Sequence, residues 1–342
     1  MPIKNKDLKK NRNSILTDTL GRKHRYLRIS LTEKCNLRCT YCMPADGITL
    51  SPQKHLMTAD EIYTIAKKFV DLGITKIRLT GGEPMVRKDF ATILERLAKL
   101  PIELGITSNG ILADRFLLVL KQNNVKSITI SIDTLKKEKF KQITRRDEFS
   151  KVWNTIQLYL KEGFKVKLNI VLIKNFNDNE IIDFIQLTKN QNLIIRFIEF
   201  MPFDGNQWNM DKLVTYQKII DTIQYTFPLQ LTRLSDAPND TSKNYKINGY
   251  KGSFAIISSV TNPFCDTCNR IRLTADGALK NCLFSGKEFS LLQPLRANQS
   301  ILPAIQSALF HKFATRAGMD TSEKIENPAL HPKNRSMISI GG

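Results

Sequence analysis

The sequence predicts an α/β chain built as an incomplete (β/α)6 TIM-like barrel, with a C-terminal region closing its open side. Three observations carry that reading. Six strand-like runs alternate with helical patterns between residues 26 and 199, which implies parallel βαβ units. Within several runs apolar residues alternate with polar or cationic ones, so one face of the sheet is apolar and the other charged. The loops of unusual composition all follow the C-terminal ends of strands, the rim on which barrels build their sites.

The strands are read at 26–31, 75–79, 102–106, 127–132, 165–171 and 193–199. The first long helix, 59–72, gathers Ile62, Ile65, Ala66, Phe69 and Val70 on one side. Thr58 and Glu61 make a capping box at its start, and Gly73 ends it. Further helices are expected at 88–99, 113–122, 150–162 and 179–188.

Parallel strands covered by helices on both faces read as continuous apolar runs. These do not. Leu27, Ile29 and Leu31 alternate with Arg28 and Ser30, and Ile77 and Leu79 alternate with Lys76, Arg78 and Thr80. Val166, Leu168 and Ile170 alternate with Lys165, Lys167 and Asn169, while Arg196 sits between Ile195 and Phe197. Helices must cover the apolar face. Arg28, Arg78, Lys167 and Arg196 are then left to converge inside an open barrel. Four cations around one cavity suit a triphosphate better than a duplex, which needs an outward-facing basic surface.

The first rim loop, 34–45, carries Cys35, Cys39 and Cys42. Three thiolates at that spacing can wrap one iron–sulfur cube, which needs four ligands, so either a fourth cysteine comes from elsewhere or one iron stays open to a non-protein group. Zinc closes its shell with four protein ligands, and neither a fourth cysteine nor a histidine lies in this loop. Thr80-Gly81-Gly82-Glu83-Pro84 follows the second strand, its glycines letting backbone come close to a neighbour. Thr107-Ser108-Asn109-Gly110, Ser131 with Asp133, and Phe200-Met201-Pro202 follow the third, fourth and sixth strands.

Beyond residue 202 the pattern changes to a polar loop at 204–210, a helix at 213–225 and a strand at 253–260. Cys265, Cys268 and Cys282 form a second triplet, with Arg270 and Arg272 beside it. No cysteine lies outside the two triplets, which favours two clusters with one exchangeable iron each. A zinc hairpin at the second triplet remains open, with His311 or His331 as its fourth ligand. The chain divides into a basic extension at 1–25, the partial barrel at 26–212 and a C-terminal cluster-binding region at 213–342. Residues 339–342 end in Gly341-Gly342, either a free tail or one threaded into a narrow cavity.

Net charge is +20, from 52 Lys+Arg against 32 Asp+Glu, so a polyanionic partner has to be considered. No run approaches the apolar length of a membrane helix, and no apolar segment follows the basic N-terminal residues, which makes the cytoplasm the expected location.

The cysteine loop with Tyr41 before its last cysteine, together with Gly81-Gly82-Glu83-Pro84, resembles the signature of the radical S-adenosylmethionine (SAM) enzymes. Adding the second triplet, Asn269-Arg270-Ile271-Arg272 and the terminal glycines, the chain from about Gly21 onward is similar to the GTP 3′,8-cyclases of molybdenum-cofactor biosynthesis. That resemblance implies two 4Fe-4S clusters, on Cys35/Cys39/Cys42 and Cys265/Cys268/Cys282, with SAM bound at the first by Tyr41, Gly82, Ser131 and Met201. It implies GTP as substrate, held by Arg28, Arg78, Thr107, Lys167, Arg270 and Arg272 with Arg196 joining them, and conversion to 3′,8-cyclo-7,8-dihydro-GTP. Gly341 and Gly342 match a catalytic tail. Implied partners are a flavodoxin- or ferredoxin-like electron donor and the cyclic pyranopterin monophosphate synthase that takes the product. Nucleic acid and membrane are not implied, and the chain would be a monomer or homodimer. Ser108 departs from the family, which commonly has a threonine there. Two alternatives stay open: a related radical enzyme acting on a peptide, and a zinc-stapled nucleic-acid-binding protein.

Overall fold

The computed structural model describes residues 15–44 and 46–341. Six βα units run in order: β1 (Tyr26–Ser30), α1 (Ala59–Asp71), β2 (Lys76–Thr80), α2 (Phe90–Ala98), β3 (Glu103–Ser108), α3 (Leu117–Gln122), β4 (Ser127–Ser131), α4 (Lys137–Thr144), α5 (Phe149–Lys161), β5 (Lys165–Leu172), α6 (Ile181–Leu187) and β6 (Leu193–Glu199). The capping box at Thr58 and Glu61 is present in full. The helices expected at 113–122 and 179–188 each begin with a turn of 3-10 helix, Ala113–Phe116 and Asp178–Glu180. Helix α4 was not foreseen, because three lysines and a glutamate among eight residues blur its apolar stripe of Phe140 and Ile143.

The strands keep the expected faces. Leu27, Ile29, Ile77, Leu79, Val166, Leu168 and Ile170 are fully buried against helix residues such as Phe69, Phe90 and Phe184. Each such side chain contributes roughly 1.5–3 kcal/mol on burial, so a register slip that turned this face inward would be prohibitively costly.

The C-terminal region does more than cover an open side. After α7 (Tyr216–Thr226), β7 (Leu231–Arg233) and β8 (Lys243–Ile247), β9 (Ser253–Ile257) pairs parallel with β6. Strand β10 (Arg270–Leu273) pairs parallel with β1, and β11 (Ala278–Lys280) and β12 (Phe289–Ser290) follow it antiparallel. The parallel order is β10-β1-β2-β3-β4-β5-β6-β9, with β11 and β12 beyond one end and β8 and β7 beyond the other. The boundary expected at 212/213 therefore divides the chain but not the sheet. The register sets Arg272 beside Arg28 and Arg28 beside Arg78, three arginines abreast.

The basic extension expected over 1–25 is integral to the fold from residue 15 on. Leu16 is buried, and the amide of His24 donates to its carbonyl at 2.8 Å. The buried Arg22 pairs with Asp18 at 2.6 Å and donates to the carbonyls of Cys265, Phe313 and Ala314, each at 2.9 Å. Residues 1–14 lie outside the described residues.

Candidate active site

The first cysteine loop leaves β1 and is held from three directions. The amides of Arg38 and Thr40 donate to the carbonyls of Thr144 and Ile143 at the end of α4, at 3.0 and 2.9 Å. The Gly81-Gly82 segment lies directly on its backbone: the amide of Gly82 donates to the Thr32 carbonyl at 2.7 Å, and that of Glu83 to Lys34 at 2.8 Å. A Cβ on Gly82 would stand 2.4 Å from the Lys34 oxygen, so only glycine fits. Third, the Asn109 amide nitrogen donates to Asn36 at 2.7 Å and lies 3.7 Å from the Cys35 sulfur. Glu83, fully buried, accepts from Ser108 and from the backbone of Met85 and Asn109, and burial raises its carboxyl to about 7. Serine at position 108 thus keeps the hydroxyl that binds Glu83.

Cys35, Cys39 and Cys42 are half-buried and unbridged. Burial pushes all three thiols up, Cys35 to about 11, and each of Cys39 and Cys42 also feels the charge of Cys35. Thiols gathered in a site that penalises their charge need a cationic group before they can ionise together. Among the described residues no three Cys, His, Asp or Glu side chains stand at single-ion spacing. Three thiols gathered on one loop are a donor set that an iron–sulfur cluster with one open iron can use.

Tyr41, Ser131 and Met201, expected to act together, line one cavity of about 130 Å³ with Asp133, Asn169, Val171 and Met337. The Tyr41 hydroxyl donates to Asp133 at 2.9 Å, and the other Asp133 oxygen accepts the Val171 amide at 2.9 Å. Gly82 does not line this cavity.

The lumen is cationic. Arg78 donates to the Tyr26 hydroxyl at 2.6 Å, to the Ile106 carbonyl at 3.0 Å, to Thr107 at 3.3 Å and to Thr129 at 3.0 Å. Gly105, opposite Arg78 in the register, leaves room for this guanidinium, since a Cβ there would meet it at 3.2 Å. Arg196 donates to the same Thr129 hydroxyl at 3.1 Å. Burial lowers Lys167 to about 8, and the charges of Arg196 and Arg78 add to that. Burial likewise pulls Arg28 down, with repulsion from Arg272. Among the described residues, the Nε atoms of Arg28 and Arg196 are buried with no hydrogen-bond partner. Arg270 stacks over the rings of Tyr26 and Phe264 at 5.5 and 5.4 Å.

The second triplet sits beyond β10 with all three cysteines half-buried. His311 and His331 are elsewhere: His311 bonds the Ser307 carbonyl at 2.8 Å and His331 the Ile325 carbonyl at 2.9 Å. One ring nitrogen of each histidine is thus engaged by backbone. Lys312 instead approaches Cys268, its Nζ 3.6 Å from the sulfur.

The tail is not free. Asn334 donates to the Leu283 carbonyl at 2.9 Å, beside Cys282, and Arg335 pairs with Asp276 at 2.8 Å. The Ile338 amide then reaches the Cys42 carbonyl at 3.4 Å, and Arg272 donates to the Gly341 carbonyl at 2.6 Å. Gly341 has φ +85°, and a Cβ there would stand 2.5 Å from the Thr80 hydroxyl. Gly342 lies outside the described residues.

Several residues at the site were not given a role from sequence, Tyr26 and Thr129 in the lumen among them. Asn109 and Asp133 belonged to rim loops already noted, a signal that could have found them. Lys312, in a stretch without pattern, offered none.

A family model described as the Radical SAM superfamily matches residues 29–188, and one described as Molybdenum Cofactor Synthesis C matches residues 193–317. The chain is 45% identical to the mitochondrial GTP 3′,8-cyclase of Arabidopsis thaliana, over 96% of this chain and 84% of that one. It is also 45% identical to molybdenum cofactor biosynthesis protein 1 of Drosophila melanogaster, over 94% of this chain but 57% of that one. The chain thus spans about half the length of several curated relatives it matches. Streptococcus suis SuiB, solved bound to the precursor peptide SuiA, shares the fold at 14% identity, with a TM-score of 0.59 over 90% of this chain and 70% of that one.

Proposed function

We infer the reaction from kinship and geometry together: this chain belongs to the GTP 3′,8-cyclase family of radical SAM proteins, and its lumen is built for a nucleoside triphosphate. The reading is conversion of GTP to 3′,8-cyclo-7,8-dihydro-GTP, the opening step of molybdenum-cofactor biosynthesis. The observation that supports it most is the placement of Arg28, Arg78, Lys167, Arg196, Arg270 and Arg272 between two thiol triplets on one sheet.

Cys35, Cys39 and Cys42 would hold a 4Fe-4S cluster, and Tyr41, Ser131 and Met201 would surround SAM. Together these groups supply, when bound, a carbon radical that takes a hydrogen atom from the substrate ribose. Cys265, Cys268 and Cys282 would hold a second cluster, whose open iron would bind the guanine edge. The protein's own share is orientation and shelter. Arg78, Lys167 and Arg196 grip the phosphates, Thr107 and Thr129 aim Arg78, and the buried lumen keeps water from a reactive carbon centre. Gly341, held by Arg272, brings the tail to the reacting end.

No helix among the described residues is long and apolar enough to cross a membrane. We place the chain in the cytoplasm, supplied by a flavodoxin- or ferredoxin-like donor and passing its product to cyclic pyranopterin monophosphate synthase. A single-turnover reaction with SAM, GTP and dithionite under argon tests the whole. Formation of the cyclised nucleotide is expected; SAM cleavage with GTP left intact under all conditions would reject it.

Two expectations arise here. Lys167→Ala weakens GTP binding roughly tenfold or more, the worth of one charge-assisted hydrogen bond, while SAM cleavage uncoupled from GTP persists. Lys167 is charged below its value of about 8 and neutral above it, so GTP affinity is level below pH 7 and falls as pH rises through 8. That break disappears in Lys167→Ala; an unchanged pH profile would take Lys167 out of the phosphate site. Deleting Gly341-Gly342 lowers turnover at least tenfold with iron content unchanged, because Arg272 loses its carbonyl partner. Equal turnover would make the tail a bystander.

A further inference from the structure

Lys312 is 6% exposed, and no carboxylate among the described residues lies within ion-pair distance of it. Its Nζ has two partners: the Arg270 carbonyl at 3.0 Å and the Cys268 sulfur at 3.6 Å. An ammonium so deeply placed needs a negative neighbour, and the nearest group able to become one is that thiol. The position is not accidental. Arg22, itself neutralised by Asp18, clamps the carbonyls of Phe313 and Ala314 together with that of Cys265. This pins the backbone immediately after Lys312 to the loop of the second triplet. Helix α8 (Leu302–Phe310) delivers the residue from the other side, where the Lys312 amide donates to Leu309 at 3.2 Å.

We propose that Lys312 is a positioning residue of the second iron–sulfur site, the built-in counter-ion of the Cys268 thiolate, and that its charge sets how readily this site accepts an electron. The inference rests on the two-cluster reading. A hydrogen bond from a cation withdraws electron density from a ligand sulfur, and hydrogen bonds and net charge are the levers that move such potentials. A positive charge favours the reduced, more negative state. Removing it therefore makes the site harder to reduce, and leaves its open iron a poorer acceptor for an electron-rich purine edge. A purely structural lysine would act only through the Arg270 carbonyl, which a neutral amide can equally serve.

The test uses the full chain with Cys35, Cys39 and Cys42 all replaced by alanine, so that only the second site can load. With Lys312 intact it is expected to hold about four irons. Lys312→Gln keeps a donor and loses the charge, and is expected to shift the reduction equilibrium at least tenfold toward the oxidised form, about 59 mV for one electron. Lys312→Arg keeps the charge and is expected to stay within threefold of the parent. Loss of iron in Lys312→Gln with retention in Lys312→Arg supports the same conclusion. A potential unmoved by Lys312→Gln, or iron lost equally from both variants, overturns it. If the chain with Lys312 intact binds no iron, the two-cluster reading itself fails and takes this inference with it.

Discussion

Gly82→Ala is expected to empty the first cysteine loop of iron. The added methyl would sit 2.4 Å from the Lys34 carbonyl oxygen and 2.7 Å from its carbon, with the Glu33 carbonyl at 3.0 Å. These are backbone atoms, so no rotamer change relieves the clash. Either the Gly81–Glu83 strand end or the cysteine loop must move, breaking the hydrogen bonds at 2.7 and 2.8 Å that fasten them. Overpacking of this kind costs roughly 3 kcal/mol or more where the neighbours cannot yield. The displacement falls on the segment that aims Cys35, two residues away from the Glu33 carbonyl. Iron and sulfide at the first site, counted anaerobically, should fall by about half of the total. The melting temperature should drop as well. Full iron with normal turnover would mean that Gly82 serves some end other than this close approach.

Cys282→Ser should abolish cyclisation while leaving the first cluster loaded. Cys282 lies past β11, next to the carbonyl of Leu283 that Asn334 binds, so its loss touches the second triplet and the tail anchor but not the first loop. Serine is nearly isosteric but a poor ligand for iron, so the fold is preserved and the metal is not. Iron should fall to about four per chain, and SAM cleavage should become independent of GTP. Turnover should drop by at least a thousandfold, since a substrate without its base-side grip is no longer held near the radical source. Full turnover in this variant would exclude a catalytic second cluster.

Much of this site was legible because strands speak with a period of two. The alternation of Leu27, Ile29, Ile77 and Leu79 with Arg28 and Arg78 requires that the cations share a face whenever the apolar side is buried, and the helices bury it. Cysteine spacing was equally informative, since a loop of eight residues keeps Cys35, Cys39 and Cys42 together in almost any fold. The second triplet was legible as a site but not as to its place. Asn281 and Cys282 lie far from Arg28 along the chain, and nothing local says that β10 will pair with β1.

By itself the sequence determined which strand residues face inward, which loops share the rim, and that all six cysteines fall in two triplets. The tertiary structure decided that the C-terminal strands β9 and β10 take up the free edges of the barrel sheet, so that Arg270 and Arg272 join the same cationic lumen. It also decided that Lys312 meets Cys268 and that Gly341 reaches Arg272. The reason is range: side-chain periodicity is set by backbone geometry within one element, whereas contacts across 44 or 69 residues of chain depend on edge pairing and packing that no local pattern encodes.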